Sequence, residues 1–235
     1  MTAPQVVVFL PPLTSLRSLP HANTVTVFDY GRTPEGTFYY AMELLEGATL
    51  QTVVELTGPL PAARVSYILR QVAGALEEAH GVNLIHRDIK PANVMLCERG
   101  GMPDAVKVLD FGLVKDIESD REVGLTAANE VTGTPQYMSP EAIENPSKLD
   151  TRADIYSLGA LGYYLLTAQH VFPGTSAVDV CHDHVHTPPI PPSKRADVEI
   201  PADLEALILE CLAKAPSDRP QTAAVFEERL IACKG

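Results

Sequence analysis

The stretch His86-Arg87-Asp88-Ile89-Lys90-Pro91-Ala92-Asn93 puts an acid, a lysine and an amide on one short segment, and Asp110-Phe111-Gly112 adds a second acid further along. That set suits the movement of a phosphoryl group from a magnesium nucleotide. Such a transfer asks little covalent chemistry of a protein: it needs an aligned nucleophile, neutralised phosphate charge and exclusion of water. Carboxylate and amide oxygens are the hard ligands that magnesium selects. A second fact pulls the other way. Lys90 is the earliest lysine in the sequence, so no lysine from the preceding residues grips the nucleotide phosphates.

Local patterns say how these residues are delivered. Val106-Lys107-Val108-Leu109 alternates like a strand and carries Asp110 at its end, while Asn93 stands before the short apolar strand Val94-Met95-Leu96. Two ligands leaving neighbouring strands can be aimed at one ion pair. Upstream, the spans 24–30 and 37–43 are strand-like and are joined by the turn-rich Gly31-Arg32-Thr33-Pro34-Glu35-Gly36, which predicts a β-hairpin; Gly47 then breaks the chain. From Leu60 the pattern turns helical, with Pro61 suited to a first turn and Val65, Ile68, Leu69, Val72, Ala73 and Leu76 on one stripe. The span from Asp154 to Thr167 is apolar on nearly every side and predicts a helix buried in the middle of the fold. Leu204, Leu207, Ile208 and Cys211 mark another helix, the last runs from about Gln221 to Ile231, and the proline-rich stretch from His186 to Ser193 predicts an irregular loop.

The bulk properties bound the rest. The chain has 235 residues, 46% of them hydrophobic and 20% charged, a globular composition. A net charge of -12 argues against nucleic acid or acidic lipid as a partner, because both demand clustered Lys and Arg. Cys97, Cys181, Cys211 and Cys233 form no close pair and predict reduced thiols in a cytoplasmic protein. The apolar run Val6 to Leu10 is too short to cross a bilayer and has neither the basic flank nor the cleavage site of a signal peptide. His182, His184 and His186 include a pair one helical turn apart, but no cysteine or carboxylate cluster completes a metal site, so a surface helix is the expectation.

Taken together, the motifs resemble the protein kinase family, specifically the eukaryotic-like Ser/Thr kinases common in bacteria, over roughly residues 16–232. The resemblance implies an α+β, bilobal protein-kinase-like fold. Its β-rich N-lobe would be truncated and confined to residues 1–45, and its mainly α-helical C-lobe would fill 46–235, with an activation segment at 110–141. It implies ATP and Mg2+ as cofactors and a Ser- or Thr-bearing protein as substrate. In this likeness Asp88 accepts or orients the proton of the substrate hydroxyl, Lys90 contacts the moving phosphoryl group, and Asn93 and Asp110 hold magnesium. Met42-Glu43-Leu44-Leu45 resembles the hinge, with Met42 as gatekeeper and the Glu43 carbonyl and Leu45 amide reading the adenine edge above Met95. Thr134, in Gly133-Thr134-Pro135, helps set hydroxyl specificity, and Thr126 and Thr132 are candidate phosphorylation sites that would pair with Arg87. His86, Arg87, Phe111, Glu141, Asp154 and Arg219 take structural roles. Glu141 is expected to form a buried ion pair with Arg219, and Asp154 to accept hydrogen bonds from the backbone of residues 86–88.

The family pattern breaks at the start. Before residue 40 there is no Gly-rich phosphate loop, before Asp29 there is no acid, and Pro11-Pro12 stands about where the lysine-clamping glutamate belongs. The expectation is a fragment whose true start lies upstream, with residues 1–12 foreign to the fold. A non-catalytic pseudokinase scaffold, or an active domain with an unorthodox clamp, are the alternatives. Exposed apolar surface is expected where the missing strands would pack.

Overall fold

The computed structural model describes residues 21–34, 37–99, 101–111, 134–196 and 199–233. A two-stranded antiparallel sheet, β1 (Val27–Arg32) and β2 (Phe38–Met42), is followed by a three-stranded antiparallel sheet in the order β3 (Gly47–Thr49), β4 (Val94–Arg99), β5 (Met102–Val108). The helices are α1 (Leu50–Thr57), α2 (Ala62–Gly81), α3 (Pro140–Glu144), α4 (Arg152–Thr167), α5 (Ala177–His186), α6 (Ala202–Cys211) and α7 (Ala223–Ala232).

The hairpin forms, but later than its sequence pattern suggests. Thr24 leaves it to make a parallel bridge with Val108, and Val25 donates to the Val108 carbonyl at 3.0 Å. A run of β-branched residues is equally suited to either partner, and tertiary pairing chooses. Gly47 opens β3 instead of breaking the chain. A Cβ there would lie 2.1 Å from the Leu96 carbonyl oxygen, so only glycine permits this approach. The short helix α1 was not foreseen: Thr49 caps it by accepting from the Thr52 amide, and Leu50 and Val54 bury one face.

The core is built on α4. Every residue from Ala153 to Thr167 is buried, so this helix is surrounded by protein on all sides. Gly159 and Gly162 let α6 come close, since a Cβ on either would sit 2.5 Å from Cys211 or Ile208. α2 contributes Val65, Ile68, Leu69, Val72 and Leu76 to the same core, and Val94, Leu96, Val106 and Val108 cover it from one face of the second sheet. The two-stranded sheet is the opposite case. Phe28 is 60% exposed and Leu44, just beyond β2, is 90% exposed. All four cysteines carry free thiols. Among the described residues no helix is long and apolar enough to cross a membrane.

The expected surface helix for the histidines needs correction. Residues 177–186 are helical, but His184 faces inward and is fully buried, while His182 and His186 are exposed. The Tyr156 hydroxyl is hydrogen-bonded to His184 Nδ1 at 2.7 Å, Phe172 meets the ring edge-on, and Lys214 donates to the His184 carbonyl at 2.7 Å. Burial, then the Lys214 ammonium, push the imidazole pKa down to about 4, with the Gln136 backbone and then Asp183 opposing and His170 adding slightly. The neutral ring therefore belongs to the folded state, and protonation favours unfolding. Stability is complete above the ordinary histidine range near 6.5 and falls as pH drops toward 4, by about 3 kcal/mol. Urea unfolding midpoints at pH 7 and pH 4 check this: His184→Gln should flatten the dependence, and an unchanged slope would refute the assignment.

Candidate active site

Asn93 ends a single 3-10 turn begun by Pro91, immediately before β4, and Asp110 lies just beyond β5. Val94 pairs with Val108, and the Leu109 amide donates to the Asn93 carbonyl at 2.8 Å. Antiparallel register thus brings the two positions to adjoining strand ends. Met95 and Lys107 pair directly, so their side chains share the sheet face turned away from the core.

Asp88, Lys90, Asn93 and Thr134 converge. Asn93 Nδ2 donates to the Asp88 carbonyl at 2.9 Å and to Asp88 Oδ2 at 3.0 Å. Lys90 Nζ lies 2.8 Å from Asp88 Oδ2 and donates to Thr134 Oγ1 at 2.9 Å. With its nitrogen committed to Asp88, the Asn93 amide turns its oxygen the other way. That oxygen and the Asp110 carboxylate are hard donors at neighbouring strand ends, a set that fits magnesium.

A buried frame holds this segment. Asp154, the third residue of α4, accepts from the His86 amide at 2.8 Å and the Arg87 amide at 2.9 Å, and its Oδ2 lies 2.8 Å from His80 Nε2. His86 Nε2 donates to the Leu109 carbonyl at 2.8 Å, which leaves Nδ1 to accept from the Asp88 amide at 3.3 Å. Burial pushes the His86 pKa down, in keeping with this neutral tautomer, and its ring packs 4.6 Å from Phe111. The frame tolerates strain: Arg87 has φ 66° and Asp110 φ 54°, left-handed conformations that cost a non-glycine residue about 1–2 kcal/mol. The Arg87 side chain is exposed.

The segment beyond Thr134 is pinned from below. Ser157 Oγ donates to the Tyr137 carbonyl at 2.8 Å, and Arg219 meets Glu141 through two bonds of 2.7 and 2.8 Å. Beside Asp88 and Thr134 opens a cleft of about 640 Å³ walled by Met138, Ile143, Leu149 and Val178. Of the residues expected to form the hinge, Glu43 is largely buried, Leu45 partly so, and Met42 is exposed. Thr126, Thr132 and most of the activation segment, like residues 1–20, lie outside the described residues.

The protein kinase domain family matches residues 11–231. This chain belongs to the protein kinase family. The kinase domain is 43% identical over 216 residues to serine/threonine-protein kinase pkn3 of Myxococcus xanthus, covering 91% of this chain and 39% of that protein. It is 42% identical over 217 residues to serine/threonine-protein kinase PknB of Mycobacterium leprae, covering 91% and 34%. It therefore spans between a third and two fifths of the length of these bacterial Ser/Thr kinases. Among solved structures, Rad53 1–466 in complex with AMP-PNP superposes with a TM-score of 0.74 at 26% identity, over 91% of this chain and 52% of that one. The PknI kinase domain of Mycobacterium tuberculosis shares the fold, with a TM-score of 0.68 at 23% identity over 92% of this chain and 73% of its own.

Two buried residues that contact the expected site residues escape sequence reasoning. His80 continues the apolar stripe of α2, one turn beyond Leu76, and reaches Asp154 from there. Lys107 is buried on β5 with its ammonium 2.7 Å from Glu43. A charged residue inside an otherwise apolar strand was the available signal, since a buried ammonium demands an anionic partner.

Proposed function

We propose that this domain transfers the γ-phosphoryl group of Mg-ATP to serine or threonine hydroxyls of protein substrates. The observation that carries the reading is the meeting of Asp88, Lys90 and Asn93 within hydrogen-bond reach, at the strand end that adjoins Asp110. Asp88 Oδ2 is the acceptor that orients the substrate hydroxyl and takes its proton as the new oxygen–phosphorus bond forms. Lys90, beside that oxygen, steadies the moving group, and its second bond to Thr134 sets the distance at which an alcohol can enter. Asn93 and Asp110 would hold magnesium, which when bound neutralises the phosphate oxygens. The hinge, through the Glu43 carbonyl and the Leu45 amide, reads adenine, with Met42 as gatekeeper and Met95 as floor. The apolar cleft beside Thr134 suits the side chain of a polypeptide, which supports a protein substrate. Exposed Arg87 is placed for a phosphate on Thr126 or Thr132. The charge of -12 speaks for a substrate other than nucleic acid and, with the free thiols, for a cytoplasmic setting.

The test is transfer of labelled γ-phosphate to serine or threonine of a generic protein acceptor, with and without magnesium. Magnesium-dependent label is the expected result; none at any enzyme concentration would overturn the reading. A scaffold role is the second reading, favoured by one observation: residues 1–89 hold no lysine. Nucleotide binding without Asp88-dependent transfer would select it.

A further inference from the structure

We propose that Lys107 is a positioning residue for the nucleotide: through Glu43 it fixes the height and angle of the hinge backbone. The inference rests on the hinge reading above and goes beyond it, because Lys107 touches no reacting atom.

Three segments meet at this pair. The Lys107 side chain is 4% exposed and that of Glu43 11%, with Nζ 2.7 Å from Oε1. Nζ also donates to the Thr24 carbonyl at 2.9 Å. The same Glu43 oxygen accepts the Thr26 amide at 2.9 Å, and the Glu43 amide donates back to the Thr26 carbonyl at 2.9 Å. Glu43 is thus held by backbone and side chain together. Residues 23–25 are in turn tied to β5, where the Val108 amide donates to the Asn23 carbonyl at 2.7 Å and Val25 donates to Val108. Lys107 lies directly across from Met95 on the same sheet face.

The consequence is geometric. The hinge belongs to the small, apolar-exposed hairpin, while Met95 belongs to the sheet fused to the core. An ion pair with little solvent around it is the bolt between them. Burial opposes the charged form of Glu43, but the Lys107 ammonium and the Thr26 amide outweigh it and hold the carboxyl at about 2, so Glu43 is a carboxylate at neutral pH. Hydrogen bonds to an adenine edge weaken steeply beyond about 3.2 Å, so a hinge free to drift loses affinity for the base while the phosphate end is untouched.

Titrations of adenosine, Mg-ATP and magnesium tripolyphosphate into the full chain, Lys107→Met and Lys107→Arg test this. Adenosine and ATP should each bind about tenfold more weakly to Lys107→Met, with tripolyphosphate unchanged and Lys107→Arg recovering part of the loss. Equal adenosine affinity in the full chain and Lys107→Met would overturn the brace and leave the kinase reading intact. Failure of the unaltered chain to bind adenosine or ATP would overturn the hinge reading and the brace with it. Amide hydrogen exchange supplies a readout free of nucleotide: Glu43 and Thr26 should exchange faster in Lys107→Met while α2 and α4 do not change, and unaltered exchange refutes the inference. If the single variant unfolds, the double variant Glu43→Gln/Lys107→Met leaves no unpaired charge and must show the same loss of adenosine binding.

Discussion

Asp88→Asn should abolish phosphoryl transfer, by a factor of about 100 to 10,000, while Mg-ATP binding stays within about threefold of the unaltered chain. The asymmetry follows from the contacts. An asparagine can still present an oxygen to Asn93 Nδ2 and Lys90 Nζ, which hold Asp88 Oδ2 at 3.0 and 2.8 Å, so the segment keeps its shape. It has no basic oxygen left to accept a proton. Each tenfold in rate corresponds to about 1.4 kcal/mol of transition-state stabilisation, so the expected loss is about 3–5 kcal/mol in the barrier with almost none in the bound complex. Turnover with labelled ATP, set beside nucleotide titration, reads both. Transfer within tenfold of the unaltered chain would remove Asp88 from the chemistry. A parallel fall in ATP affinity would show that the substitution had disturbed the fold instead.

Arg219→Met should lower stability by about 3–5 kcal/mol, the loss expected when one member of a buried ion pair leaves the other uncompensated. The Arg219 side chain is 0% exposed and that of Glu141 15%. All five of its N–H groups are used: two on Glu141, and one each on the carbonyls of Arg152, Ala213 and Lys214. Its guanidinium carbon also lies 4.9 Å from the centroid of Tyr156. Methionine fills the volume and supplies none of this. Lysine would supply a point charge without the fork, so Arg219→Lys should recover only a minor part. For a domain of this size the melting temperature should drop by roughly 10 °C. Because Glu141 lies in the first turn of α3, directly after residues 134–140, the loss should also loosen the floor of the apolar cleft. A melt within about 2 °C of the unaltered chain would contradict the account.

How much of this was legible beforehand differs by residue. The segment 86–93, Asp110 and Thr134 were visible in short local motifs, whereas the Glu141–Arg219 pair, 78 residues apart, was expected only from the family resemblance. Helix α2 was visible as a periodic apolar stripe and α4 as a span apolar on nearly every side; these two and α7 were placed within about two residues of their observed ends, while α6 was marked only by Leu204, Leu207, Ile208 and Cys211. The hairpin was placed early, since nothing local says that Thr24 and Val25 pair with β5 and not with β2. Gly47 read as a break when it marks a close approach to Leu96, a fact that exists only once two distant strands meet. His184 read as a surface residue because its helix looks polar, and only the packing of Tyr156 and Phe172 turns it inward.

The sequence by itself determined the family and the main helices, because these depend on residue types at short range. The tertiary structure alone decided that Lys107 meets Glu43 across a separation of 64 residues, that His80 joins Asp154 across 74, and which histidine is buried. The physical reason is that a buried charge must find its partner wherever the fold puts one. That partner's identity is a property of the packed interior, set by desolvation and distance, and no local pattern along the chain encodes it.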